Sequence, residues 1–425
     1  MKILVLDGNE NQSVACVRSL ARAGHRVFVG CDSSWSKAGW SRSCRGSFRY
    51  PSPKQDADAF VTRIAEEAAR ERGTFVLPTT ERTTLPLSAA RDTILATGGT
   101  LVLPSHETVL RAFDKSQTTQ LARSLGITVP RTESIAERRR ALELADEFVY
   151  PAVLKPASSE EFNGNRVRTA GAPMYATNAQ EFLRGYEELS SRSKLVLVQE
   201  FVEGQGAGFF ALTRQGELLA EFAHQRIRDV RPTGSGSALR VSVNPERRLK
   251  EAALAILRAL KWHGVAMVEF RVRPDGEPVF MEMNGRFWSS LALAVYSGVD
   301  FPTRLARLAA SELDGDGSSN QPAPLPEYRS GVRCRWLLGD FRHLLEVLGG
   351  APRGYPGTYP SRWRAAVDFL TPKLGTFHDN FQIRDPMPEI GDWLDFASRR
   401  IPAAFRERRD ATEKMNHVER RYSHS

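Results

Sequence analysis

The chain has 425 residues, of which 41% are hydrophobic and 26% charged, and its net charge is +9. That balance excludes a wholly disordered chain, and the length allows roughly three domains. No apolar run reaches the roughly 18 residues of a membrane-spanning helix. The four cysteines (Cys16, Cys31, Cys44, Cys334) show no CxxC and no paired spacing, so neither a zinc site nor a disulfide framework is expected. Met1–Gly8 turns polar too early for a signal peptide. A reduced, cytoplasmic compartment is therefore the expectation.

The positive charge has two readings: an anionic partner, or an arginine-rich surface. Residues 399–421 carry eight basic and four acidic residues. Their interleaving predicts a solvated helix face rather than a nucleic-acid arm. Neither nucleic acid nor membrane is expected as a partner.

The N-terminal hundred residues alternate strand and helix signals. Lys2–Leu6 is a short apolar run of the kind found in buried parallel strands. Gln12–Ala23 has helical spacing and stops at Gly24, and His25–Gly30 reads as a second strand. Phe75–Pro78 and Thr100–Pro104 read as further strands. This predicts an α/β layer over 1–104. The first turn, Asp7-Gly8-Asn9-Glu10-Asn11, lacks GxGxxG, so a dinucleotide is not expected there.

Ser105 can cap a helix, and Lys115–Leu125 is a second helical run. Tyr150–Pro156 reads as a strand closed by proline, Asn178–Glu181 as a capping box, and Lys194–Phe201 as another strand. Asn244-Pro245 opens a helix whose apolar face is Leu249, Ala253, Ile256, Leu257 and Leu260. Residues 314–326 are rich in Asp, Gly, Ser and Pro and read as a linker. The remainder, 327–425, reads as a mostly helical appendage.

The most informative stretch is Val265–Asn284. Two strand-like runs flank Asp275-Gly276, a strong hairpin signal. A two-residue loop sets Glu269 opposite Glu282 and leaves Asn284 on the same side. The other side would hold the pairs Val268/Met283, Phe270/Met281 and Val272/Val279. Directly opposed carboxylates repel, and Cβ atoms there are ~5 Å apart. Something must neutralise them. A hard divalent cation would take oxygens from both carboxylates and the Asn amide. A salt-bridge network from Arg271 or Arg286 is the alternative.

Taken in order, Asp114-Lys115, Val153-Leu154-Lys155-Pro156, Gln199-Glu200-Phe201-Val202-Glu203-Gly204, Val268-Glu269-Phe270 and Glu282-Met283-Asn284-Gly285-Arg286 resemble the ATP-grasp superfamily over residues 1–310. Phe287–Leu291 and His224–Arg228 resemble its predicted carboligases. The resemblance implies an α/β ATP-grasp fold: a Rossmann-like parallel-sheet domain over 1–104, a smaller lid subdomain with linking helices over 105–200, and a larger subdomain with the metal site over 201–313. It also implies roles. Lys115 and Lys155 would hold the ATP phosphates. Gln199, Glu200 and Val202 would bind adenine, and Glu203 the ribose in place of a polar residue at Gly206. Glu269, Glu282 and Asn284 would hold Mg²⁺, with Mn²⁺ as the alternative. Arg286 would stabilise the transferred phosphoryl group or a substrate carboxylate, and Arg226, Arg228 and Arg240 would suit an acidic substrate. The activity implied is ATP-dependent ligation of a small carboxylic acid to an amine. The alternatives are a bicarbonate-activating carboxylase and a non-catalytic nucleotide-binding module. Many members are homodimers.

Overall fold

The computed structural model describes residues 1–313, 325–352, 354–371 and 373–400. Most of the expected linker, and all but the first two residues of the basic 399–421 stretch, lie outside these. No helix among the described residues is long and apolar enough to cross a membrane.

Three sheets carry the molecule. The first is parallel, in the order Gly46–Arg49, Arg26–Cys31, Lys2–Val5, Phe75–Leu77. Lys2–Val5 is wholly buried, as its unbroken apolar run predicts for a strand covered on both faces. The expected strand at Thr100–Pro104 is reduced to one bridge, Phe75 to Thr100.

The second sheet is antiparallel and orders Thr132–Ile135, Val196–Glu200, Ala152–Pro156 and Met174–Ala176. Helices Arg138–Glu147 and Ala179–Ser190 cover it with their own core, which includes Leu144, Phe148, Phe182 and Leu189. The Asn178 side chain caps the second helix by accepting from Glu181 N at 3.0 Å. The Glu181 carboxylate reaches back to Thr177 N rather than to Asn178 N.

The third sheet has seven strands: Pro278–Asn284, Gly264–Val272, Gln205–Arg214, Glu217–Arg231, Ser235–Val243, Arg333–Arg335 and Thr376–His378. Helix Arg247–Ala259 packs on one face through Leu249, Ala253, Ile256 and Leu257, as its spacing predicts. Its cap is Glu246, one residue beyond Pro245. Helices His106–Phe113 and Lys115–Ser124 join this core and not that of the smaller sheet.

A small hairpin, Glu160–Phe162 with Val167–Thr169, projects from the second sheet and grips the first domain. Val167 N donates to Pro53 O at 2.9 Å, and Asn165 O accepts from Ala57 N at 2.9 Å.

The C-terminal region is helical, with Leu337–Gly349, Arg362–Leu370 and Met387–Arg400, but it also supplies the last two strands of the large sheet. Buried ion pairs sew it to the body. Arg18 binds Asp385 at 2.9 Å, Lys37 binds Asp392 at 2.8 Å, and fully buried Arg240 binds Asp379. Removing one partner of such a pair strands the other charge, at a cost of about 3–5 kcal/mol. We expect Arg240→Met to lower the thermal midpoint sharply. Arg240→Met with Asp379→Leu should recover much of the loss, because an apolar pair leaves no stranded charge. Scanning calorimetry of the two variants checks this.

Candidate functional site

The site is built on the hairpin Gly264–Val272 and Pro278–Asn284. Glu269 does oppose Glu282, and Val268 opposes Met283. The route to that register differs from the expected one. Gly276 N bonds Arg273 O at 2.9 Å and Arg273 N bonds Glu277 O at 3.0 Å, so three residues, not two, form the loop. Phe270 therefore opposes Phe280 and Val272 opposes Pro278, which corrects the expected Phe270/Met281 and Val272/Val279 pairs. A β-bulge at Met281 then restores the Glu269–Glu282 alignment. The bulge also brings Met281 to the same cavity as Glu282. Sequence spacing alone does not reveal it.

That cavity, about 290 Å³, lies between the second and third sheets. It gathers Lys115, Lys155, Gln199, Glu200, Val202, Glu269 and Glu282. Lys115 sits just inside its helix because Asp114 caps it, accepting from Ser116 N and Gln117 N at 2.8 and 3.1 Å. Its ammonium donates to Ser159 Oγ at 2.9 Å and lies 3.7 Å from Glu282. Lys155 comes from the strand Ala152–Pro156, paired with Leu197. Gln199 is buried and donates to Thr132 Oγ1 at 2.9 Å, and Glu200 pairs with Arg273 at 3.2 Å.

Asn284 and Arg286 stand one step behind. Asn284 donates to Glu282 Oε1 at 3.2 Å and accepts from Arg286 at 3.0 Å, and Arg286 continues to Glu81 at 3.5 Å. A chain of polar contacts thus runs from the cavity to the first domain. Glu203 is exposed and does not line the cavity. Gly206 has a clear steric reason: an added Cβ would lie 3.2 Å from Arg226 Cδ.

Arg226, expected to suit an acidic substrate, does line the cavity, but in this structure it answers the carboxylate pair. Its guanidinium binds Glu269 at 2.5 Å and Asp229 at 3.5 Å. The neutralising arginine is thus neither Arg271, which donates to Gly204 O, nor Arg286. Arg228 and Arg240 do not line this cavity, which corrects the expectation that they face a substrate here. A second bulge explains Arg228. Arg226 pairs with Arg240, but Arg228 pairs with Leu239, so Arg228 leaves the face that Arg226 occupies. It binds Asp340 with two bonds of 2.5 and 2.9 Å. Arg240 stays on the Arg226 face but is buried against Asp379.

The electrostatics suit an anionic ligand. Burial pushes the Lys155 ammonium down to about 8, against the pull of Glu282. Burial opposes ionisation of Glu282 too, yet Lys115 and Lys155 outweigh it and hold the carboxyl at about 2. Burial raises Glu269 despite Arg226, and the Glu282 charge adds to the rise. Two facing carboxylates are hard oxygen donors of the kind a divalent cation takes, while the Asn284 amide turns its NH2 toward Glu282 and its oxygen toward Arg286. No group of three or more His, Cys, Asp or Glu fit for a metal occurs among the described residues, so the amide or a ligand oxygen must complete such a site.

Comparison with known proteins follows this geometry. Residues 238–314, which include the hairpin, match the family model of the carbamoyl-phosphate synthase L chain ATP-binding domain. The chain is 25% identical over 308 residues to the carbamoyl phosphate synthase large chain of Methanothermobacter thermautotrophicus, covering 67% of this chain and 28% of that one. It is 25% identical over 179 residues to the D-alanine–D-alanine ligase of Aquifex aeolicus, covering 41% and 58%. The fold is similar to that of N5-carboxyaminoimidazole synthetase from Staphylococcus aureus, with a TM-score of 0.60 and 14% identity over 85% of this chain and 90% of that one. The chain spans about a quarter to a third of the length of the carbamoyl phosphate synthase chains it matches.

Lys155 carries a testable cost. Its folded pKa lies below its ordinary value, so the unfolded chain binds the extra proton between about pH 8 and 10.5. Stability from this group rises with pH through that window, and the penalty is complete below it. We expect Lys155→Met to raise the thermal midpoint at pH 7, by the equivalent of about 1–2 kcal/mol, with the gain shrinking toward pH 10. Melting curves of both proteins across pH 6–10 measure it.

Proposed function

We propose that this chain, whose residues 238–314 match an ATP-binding domain and whose fold is similar to that of N5-carboxyaminoimidazole synthetase, is an ATP-grasp enzyme: an ATP- and Mg²⁺-dependent ligase that joins a small carboxylic acid to an amine. The observation that carries the reading is the meeting of Lys115, Lys155, Glu269 and Glu282 in one cavity whose wall includes Gln199, Glu200 and Val202.

The division of labour follows from position. The Gln199–Val202 segment, leading from the small sheet to the large one, holds the adenine. Lys115 and Lys155 neutralise the phosphates, and an arriving phosphate restores full charge to Lys155. Glu269, Glu282 and Asn284 would hold Mg²⁺, which would supply charge neutralisation at the phosphate oxygens. Arg226 shields Glu269 in the free protein, which spares the hairpin the repulsion of two bare carboxylates. Arg286, ordered by Asn284 and Glu81, is the cation nearest the metal ligands that points toward the first domain. It orients the substrate carboxylate or steadies the phosphoryl group in flight.

In this reaction a carboxylate oxygen attacks the γ-phosphorus and ADP leaves, giving an acyl phosphate. The amine nitrogen then attacks the acyl carbon, phosphate departs, and the amine loses a proton. The protein contributes positioning and charge. Arg286 with Asn284 fixes the acid, and the lysines fix the leaving phosphates.

Phosphate release from ATP and Mg²⁺, measured over pooled carboxylic acids crossed with pooled amines, tests the proposal. Release that needs both pools supports it. Release that needs only bicarbonate identifies a carboxylase, and ATP binding with no release over a complete panel identifies a binding module. Glu282→Gln should lower turnover by at least about 100-fold, with the circular dichroism spectrum unchanged. Normal turnover of that variant at saturating Mg²⁺ refutes the metal assignment.

A further inference from the structure

A larger cavity, about 680 Å³, lies under the C-terminal helices on the sheet face that Leu239, Arg228 and Arg335 share. None of the nucleotide pocket's side chains lines it. The turn between strands Glu217–Arg231 and Ser235–Val243 separates the two, with Pro232 on one side and Thr233 on the other.

Its wall is basic. Arg228 and Arg335 both reach the buried carboxylate of Asp340, each with a 2.5 Å contact. One carboxylate thus serves two guanidinium groups. Arg364 and Lys373 line the same cavity and form no ion pair among the described residues. The opposing charge is smaller. Asp368 is half exposed and 3.5 Å from Arg228, and Asp229 lies 3.5 Å from Arg226. Four cations therefore stand against three carboxylates, Asp229, Asp340 and Asp368. A concave, partly desolvated surface focuses such a field and draws in a counter-ion. The forked guanidinium groups suit carboxylate and phosphate oxygens equally. Ile227 and Leu239 give the cavity an apolar floor.

We propose that this cavity is a second ligand site, one that takes a small multivalent anion bearing carboxylate or phosphate groups. Arg364 and Lys373 are the recognition residues, because Arg228 and Arg335 are already tied to Asp340. The site stands on its own residues and does not require the ligase reading.

Citrate and pyrophosphate serve as probes, each compared with sodium chloride at matched ionic strength. Thermal melts are run on the full chain, on Arg364→Ala/Lys373→Ala and on Lys155→Ala. Both residues of the double variant are exposed, so it should fold. We expect at least one probe to raise the midpoint of the full chain by about 2–4 °C. The rise should vanish in Arg364→Ala/Lys373→Ala and persist in Lys155→Ala. A rise that survives the double variant, or that vanishes in Lys155→Ala, places the anion in the nucleotide pocket and overturns the proposal. No rise with either probe overturns it as well.

Discussion

Two carboxylates held face to face on one hairpin set the terms for the rest of this molecule. Glu269 and Glu282 are adjacent across the strands, and an unrelieved pair there would push the hairpin apart. The surrounding groups divide the relief between them. Arg226 serves Glu269, while Lys115 and Lys155 serve Glu282. The cations come from three separate elements: a helix after the first domain, the small sheet and the large sheet. Their convergence makes the cavity.

Much of this was readable before any coordinates. The unbroken apolar run at Lys2–Val5, the Leu249–Leu257 helix face and the Asp275-Gly276 turn each state a local preference that the fold keeps. Residues near one another on one strand are legible as well: Asn284 bonds the Glu282 carboxylate. Irregular backbone was not legible. The bulge at Met281 and the one beside Arg228 each insert a residue without any mark in composition or period. One preserves the carboxylate pairing by offsetting a longer loop. The other sends Arg228 to the opposite face, so two arginines that look alike in the motif do different work. Arg240 departs from expectation for another reason: its partner Asp379 lies 139 residues away, and no local pattern announces so distant a contact.

The C-terminal region is integral and not an accessory. It extends the large sheet by two strands and contributes acids to Arg18, Lys37 and Arg240. Tyr355 also packs on Tyr175 and Phe201, at 5.1 and 5.9 Å between ring centres, beside the Gln199–Val202 wall. The C-terminal region therefore braces the small sheet through its aromatic residues.

The grip of the small hairpin on the first domain joins two kinds of bond. Val167 N to Pro53 O and Ala57 N to Asn165 O are peptide contacts, with no charge for salt to screen. Lys54 adds an ammonium, which donates to Thr169 Oγ1 at 2.7 Å. Dissolved ions weaken an exposed charged contact and leave the peptide pair alone, so ionic strength loosens this seam only in part.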